Sequence, residues 1–78
     1  MTVSGTLSIS SGVDRQSFTG MNWPVPPIRV MGSMSIPAGG DLIHAAVVND
    51  TITRDGFDIV LSGETPDGNY EFNYIAVM

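Results

Sequence analysis

The clearest hydrophobic pattern lies in the last third of the chain, where large apolar residues alternate with small or polar ones. Large side chains take every second position of two runs, 57–62 and 70–77. A period of two is typical of a strand that buries one face. Between the runs, Asp67-Gly68 is a hairpin-turn pair, and Gly56 interrupts the alternation just before the first run. The pattern predicts two strands, a tight corner at Asp55-Gly56, and three aromatic side chains on one face of the last strand.

Turn signals recur about every ten residues along the rest of the chain, and no segment has helical periodicity beyond about two turns. Trp23 to Pro27 contains three prolines without a backbone donor, which predicts an extended crossover. The fold class predicted is all-β, a small six-stranded antiparallel β-sandwich formed by a single domain over residues 1–78. The predicted strands are residues 2–10, 15–22, 28–36, 42–48, 57–62 and 70–77, with a short strand or continuation at 51–53.

The late strands are also apolar on the face opposite their aromatic side chains. A chain of 78 residues buries only about 60% of its unfolded surface, and this one has no cysteine for disulfides. Only 14% of its residues are charged, against an average of about 25%. We therefore expect a homo-oligomer in which copies of the chain cover the second face. The predicted interface consists of Met31, Ile43, Val47, Val60, Ile75 and Val77.

The net charge of −5 and the absence of lysine exclude the usual ways of binding nucleic acid. Three arginines cannot neutralise a phosphate backbone within a negative field, and the same holds for anionic membranes. No run approaches the roughly 20 apolar residues that span a bilayer. Residues 1–11 lack both a basic start and an apolar run, so no signal peptide is predicted.

No set of residues matches a catalytic, cofactor or metal motif. His44 is the only histidine and lies in an apolar run, which favours a buried or interfacial ring over a catalytic base. Most of the eight carboxylates fall at turn signals, where Asp bonds to local backbone. Gly39-Gly40 lacks the lysine and helix of a phosphate loop. We predict a protein that is not an enzyme, without catalytic residues, cofactor or metal. The role of Trp23 is left open by the sequence, since it fits either a structural anchor or a sugar-stacking platform.

Three segments in order resemble the H-type lectins. They are Pro26-Pro27-Ile28-Arg29-Val30, then Thr51 to Ile59 with its Thr-x-x-Gly-Phe corner, then Phe72-Asn73-Tyr74-Ile75-Ala76. The resemblance covers residues 18–78. It implies a six-stranded antiparallel sandwich that assembles as a trimer or a dimer of trimers and binds sugars in clefts between protomers. Related sandwiches occur in bacteriophage tail and fibre proteins, and a short cysteine-free chain is more similar to these than to secreted lectins.

The resemblance also suggests where a ligand would bind. The nearest counterparts of the family's binding residues are Arg54 and Asp55 at the corner and Asn73 on the last strand, with Trp23 or Tyr74 to stack on a sugar. The lectins usually have Trp where Tyr74 stands, and the segment between Val30 and Thr51 is short here.

The function expected is that of a trimeric virion module, at a tail tip or fibre, that binds a host-surface glycan and contacts other virion proteins. It would be made in the host cytoplasm. The alternative is a structural virion assembly or decoration protein without a ligand. A small hydrolase is a distant third, because the nucleophile and base are missing.

Overall fold

The computed structural model describes residues 1–78 as an all-β chain with two three-stranded antiparallel sheets and no α-helix. A single 3₁₀ turn over Asn49–Thr51 follows the fourth strand. The chain has no helical segment that could span a membrane. The strands are β1 (Thr2–Ser8), β2 (Arg15–Phe18), β3 (Arg29–Ser35), β4 (Ala45–Val48), β5 (Phe57–Leu61) and β6 (Glu71–Val77).

The first sheet has the order β1-β6-β3 and the second the order β2-β5-β4, so the last two strands of the chain are the two central strands. In the first sheet Tyr74 lies opposite Gly5 on one side and Gly32 on the other. In the second sheet Phe18 lies opposite Phe57. The two runs with the clearest alternation are thus the strands with a partner on both sides.

The core is a single cluster to which both sheets contribute. Phe72 of β6 has its ring centroid 6.3 Å from that of Phe18 and 6.1 Å from that of Phe57, which both belong to the second sheet. Tyr74 lies 5.9 Å from Phe57. Every buried side-chain polar atom has a hydrogen-bond partner. The two sheets therefore share one hydrophobic core. Its buried apolar members are Ile9, Phe18, Trp23, Val30, Ile43, Phe57, Ile59, Leu61, Tyr70, Phe72, Tyr74 and Ala76.

Several strands are shorter than predicted, because backbone donors near their ends find other partners. β2 ends at Phe18, and the chain then leaves the sheet: the amide of Met21 donates to the carbonyl of Asp55 (2.8 Å). The predicted strand at 51–53 is wrong. Thr51 closes the 3₁₀ turn instead, since its hydroxyl donates to the carbonyl of Val48 (2.6 Å) and accepts from the amide of Asp58 (2.9 Å).

The two ends of the third predicted strand, 28–36, lie outside the paired strand. Ile28 and Ile36 lie one residue outside β3 and are exposed, Ile28 to 75%. Between them the alternation is partly kept, since Val30 is buried and Met34 is half-buried. The inward pattern therefore holds only where β3 is paired with β6.

The structure separates the six residues predicted at an oligomer interface into three groups. Met31, Ile75 and Val77 lie on the outer face of the first sheet, where Met31 and Ile75 are both 46% exposed. Val60 is exposed on the outer face of the second sheet. Ile43 is buried, and Val47 packs against the core opposite Ile59. In the single chain, Ile43 is thus a core residue and Val47 is half-buried against the core, so neither lies on an exposed apolar face.

Candidate functional site

The predicted corner at Asp55-Gly56 is present and is held by its own backbone. The amide of Thr53 donates to the carbonyl of Gly56 (2.9 Å), and the amide of Asp55 donates to the Thr53 hydroxyl (3.2 Å). A Cβ at Gly56 would overlap the carbonyl oxygen of Phe18. Only glycine allows the chain to pass so close to the end of β2.

The segment Met21–Trp23 runs beside this corner and is fixed to it. Two backbone amides, those of Met21 and Trp23, donate to the carbonyls of Asp55 and Arg54 at 2.8 and 2.9 Å. Asn22 lies between them with φ of 50°, a left-handed conformation that Asn tolerates better than most residues. The side chain of Asn22 is therefore held at the surface by ordered neighbours on both sides.

Arg54 has one end of its guanidinium group fixed and the other end free. Its Nε donates to the carbonyl of Trp23 (3.1 Å), which orients the planar group. The two Nη nitrogens have no partner in the chain, and the only ion pair in the molecule joins Arg15 to Asp58. The carboxylate of Asp55, the next residue, is exposed and makes no hydrogen bond within the chain.

These side chains border a surface depression of about 590 Å³, which we call the Arg54 corner. A forked cation, a carboxylate and an amide offer both donors and acceptors over a short distance. Such a set is complementary to a ligand with neighbouring hydroxyl groups or to one with a carboxylate. The lining residues are Asn22, Pro26, Ile52, Thr53, Arg54 and Asp55.

The two predicted stacking residues do not lie at this surface. Trp23 is only 4% exposed, and its ring stacks on Phe57 at 6.3 Å. Tyr74 is 8% exposed and faces Trp23 at 6.2 Å. Both rings belong to the core of the single chain, so neither is available at its surface to stack on a sugar, and the burial supports the structural alternative for Trp23.

Asn73 lies on the outer face of the first sheet, away from the lining of the Arg54 corner. Its Oδ1 accepts from the hydroxyl of Thr6 (3.0 Å), and its Nδ2 donates to the hydroxyl of Ser35 (2.7 Å) and to the carbonyl of Ser33 (3.4 Å). The oxygen and the nitrogen of this amide thus join β6 to both neighbouring strands. The structure brings Arg54 and Asp55 together and leaves Asn73 outside their site.

A second depression, of about 510 Å³, covers the part of this outer face around Asn73. Beside Asn73 it is bordered by Met31 and Ile75 together with the hydroxyls of Ser4 and Thr6. It contains no charged side chain. It is therefore a neutral and partly apolar surface, in contrast to the Arg54 corner.

The other candidate groups add no catalytic arrangement. His44 is exposed, which contradicts the expectation of a buried ring and leaves the interfacial alternative untested. It lies just before β4, where its carbonyl accepts from the amide of Ser62 (2.9 Å). No group of three or more His, Asp or Glu side chains is placed to hold a metal ion.

Two polar residues of the Arg54 corner, Asn22 and Thr53, were not predicted from the sequence. Thr53 belongs to the Thr-x-x-Gly-Phe pattern, and a hydroxyl two residues before an amide is a known turn former. That signal was sufficient to find Thr53. Asn22 comes from a distant part of the chain, and no local pattern places it next to Arg54.

No family model, curated protein or solved structure matches this chain. Its resemblance to the H-type lectins therefore stays a prediction that rests on the three sequence segments alone.

Proposed function

We propose that this chain is a non-enzymatic carbohydrate-binding module and that its glycan binds at the Arg54 corner. The observation that supports this most directly is the free Nη edge of Arg54, which is oriented by the bond from Nε to the Trp23 carbonyl and stands beside an unpaired carboxylate. A charged side chain that is held in place but has no partner is a common feature of binding surfaces.

The chemistry of recognition follows from these groups. The Nη nitrogens donate to sugar hydroxyl oxygens or to the carboxylate of an acidic sugar, and Asp55 accepts from a hydroxyl next to it. Asn22 can do both. Because no aromatic ring is exposed at the site, binding relies on hydrogen bonds alone and each site is weak. Several copies on one particle would raise the overall affinity.

The rest of the proposal follows the lectin resemblance. The two sheets form a six-stranded antiparallel sandwich, three chains assemble into a trimer, and the trimer belongs to a bacteriophage tail tip or fibre that attaches to surface glycans. The support from the molecule is the low share of charged residues and the exposed apolar side chains on the outer face of the first sheet, Met31 and Ile75.

The test is a glycan array followed by calorimetry with the best glycan, comparing the natural chain with Arg54→Ala and Arg29→Ala. Both arginines are exposed and neither forms an ion pair, so the two variants change the net charge equally. We expect Arg54→Ala to weaken binding by about tenfold or more, the effect of losing one charge-assisted bond. Arg29→Ala should bind as the natural chain does.

Two results would overturn the proposal: an array without any bound glycan, or equal affinity of the natural chain and Arg54→Ala. Trp23 fluorescence serves as a check on folding, since the Arg54 side chain also bonds to the Trp23 carbonyl. A Trp23→Ala variant is unsuitable here, because the ring belongs to the core.

A structural virion component without a ligand is the second candidate. It is favoured by the middle of the first sheet's outer face, where both groups of the Asn73 amide already have partners within the chain and the surroundings are uncharged. The absence of glycan binding on the array, together with tight binding to a capsid or tail protein, would support this second candidate.

A further inference from the structure

We infer that β1 is a pairing edge, at which a second copy of this chain adds its own β1 in antiparallel orientation. The first sheet would then continue through two subunits as six strands. The inference does not depend on glycan binding, and it is compatible with the proposed trimer, since a two-fold joint at β1 would link two trimers.

The backbone of β1 leaves half of its hydrogen-bonding groups without a partner. β1 is an edge strand, paired only with β6. The bonds from the amide of Ile9 to the carbonyl of Tyr70 (3.0 Å) and from the amide of Met78 to the carbonyl of Met1 (2.9 Å) fix the odd-numbered residues as those bonded to β6. The amides and carbonyls of the even-numbered residues therefore point away from the sheet. These residues are Thr2, Ser4, Thr6 and Ser8.

This edge lacks the features by which proteins protect edge strands. β1 has seven residues, none of which is charged and none of which is proline. The other edges differ: β2 has four residues and carries the Arg15 side of an ion pair, while β3 and β4 lie close to each other. β1 is the one long, neutral edge.

A second copy fits this edge because the sequence of β1 is complementary to itself when reversed. In the one register that pairs all seven residues, Gly5 lies opposite Gly5 of the second copy, and Val3 lies opposite Leu7. On the outer face, Ser4 lies opposite Thr6, and such hydroxyl pairs are favourable neighbours. Val3 and Leu7 are only half-buried in the single chain, and this register covers both.

The two glycines at the centre do not leave a gap. Tyr74 packs its ring over Gly5, with Cε1 at 3.0 Å from the point where a Cβ would be. Each subunit thus brings its own aromatic ring to the middle of the joint sheet, and the backbones can approach without side chains between them.

Amide hydrogen exchange combined with sedimentation tests this edge. With rising protein concentration, the amides of Thr2, Ser4, Thr6 and Ser8 should become protected, while those of Val3 and Leu7 are protected throughout. Because the even-numbered amides exchange only from the free subunit, pairing of about nine-tenths of the chains slows them about tenfold. A chain that sediments as a monomer at millimolar concentration, or an oligomer of any size whose even-numbered amides still exchange freely, overturns the inference.

Two double variants at the same positions test the register. Ser4→Lys/Thr6→Lys places like charges opposite each other across the edge and should abolish pairing. Ser4→Lys/Thr6→Glu adds the same bulk with opposite charges and should keep or tighten pairing. Equal association of both variants contradicts the register. If glycan binding is retained by the unpaired Lys/Lys variant, the edge and the Arg54 corner are shown to act separately.

Discussion

The central strands of the two sheets, β6 and β5, are alike on their inner faces and different on their outer faces. Inward, each supplies a fully buried phenylalanine to the same core, Phe72 from one and Phe57 from the other. Outward, β6 carries Asn73, which hydrogen-bonds to both neighbouring strands. β5 carries Asp58, which forms an ion pair with Arg15 of β2 (2.8 Å).

The difference shows that the residues in the interior and those on the surface of this chain are selected by different physical constraints. The inner faces carry the same kind of residue, because burying aromatic rings is what holds two small sheets together. The outer faces carry different kinds of polar residue. The middle of the first sheet's outer face, around Asn73, is uncharged and can be covered by another protein without burying a charge, because Arg29 and Glu71 lie at opposite ends of that face. The outer face of the second sheet carries the Arg15–Asp58 ion pair and is suited to water.

The largest effect on stability is expected from removing the Phe72 ring from the core that the two sheets share. Phe72→Ala removes a ring that contacts Phe18 and Phe57 across the sheets, and it should lower the free energy of unfolding by about 3–5 kcal/mol. Such a loss can unfold a small domain, so Phe72→Leu, with a loss of about 1–3 kcal/mol, keeps the test measurable. Trp23 fluorescence and far-UV circular dichroism should report one common transition in urea. Two separate transitions would mean that the sheets unfold independently.

A smaller loss of stability is expected from a substitution at Gly56, which directly precedes β5 of the second sheet. Gly56→Ala forces the new Cβ against the Phe18 carbonyl and should cost about 1–3 kcal/mol as the backbone shifts. It should also disturb the Arg54 corner. Gly63→Ala is the matched control, since a Cβ there meets nothing within 4 Å. Equal stability of the two variants in urea unfolding would show that the corner can move freely.

The sequence predicted the inner faces better than the outer ones, for a physical reason. Alternation marks which side of a strand is buried, and this was correct for β5 and β6 and for the all-β class. It cannot show whether an apolar residue in an apolar run, such as Ile43 or Val47, faces the core or a partner. Strand ends also depend on distant partners, as at Phe18, where the chain leaves the sheet to pair with Asp55.

The candidate site was predicted only in part for a similar reason. Arg54 and Asp55 are neighbours in the sequence and share a turn, so a local motif could indicate both. Asn22 reaches them through backbone bonds between segments about 30 residues apart. The burial of Trp23 and Tyr74 follows from the packing of both sheets, which no single strand pattern contains.

The neutral network on the first sheet can be tested by Asn73→Ala. Removing the amide leaves the Thr6 and Ser35 hydroxyls to water, and we expect a loss of about 1 kcal/mol, because these groups are exposed. Since no charge is involved, the loss should be the same at low and high salt. Ser4→Ala, on the same face but without a side-chain hydrogen bond, should be close to neutral. A salt-dependent loss at Asn73 would contradict the comparison between the two faces.

The smallest effect is expected at Asp58, and it should depend on pH. The hydrogen bond from Arg15 lowers the pKa of the Asp58 carboxyl. The folded chain therefore binds this proton less tightly than the unfolded chain, so the stabilisation is present above about pH 4 and is lost as the pH falls through the folded-state value. Asp58→Asn should be less stable than the natural chain at neutral pH, by less than Asn73→Ala, because the pair is partly exposed and screened by salt.

The difference between the natural chain and Asp58→Asn should shrink in acid and also in high salt, as measured by urea unfolding. Glu71→Gln provides the control from the first sheet, since Glu71 is exposed on β6 and has no ion-pair partner. If both variants responded equally to acid, the ion pair would have no role, and the outer faces would differ in composition without differing in their contribution to stability. If only Asp58→Asn responds, the outer face of the second sheet is stabilised by an ion pair that the outer face of the first sheet lacks.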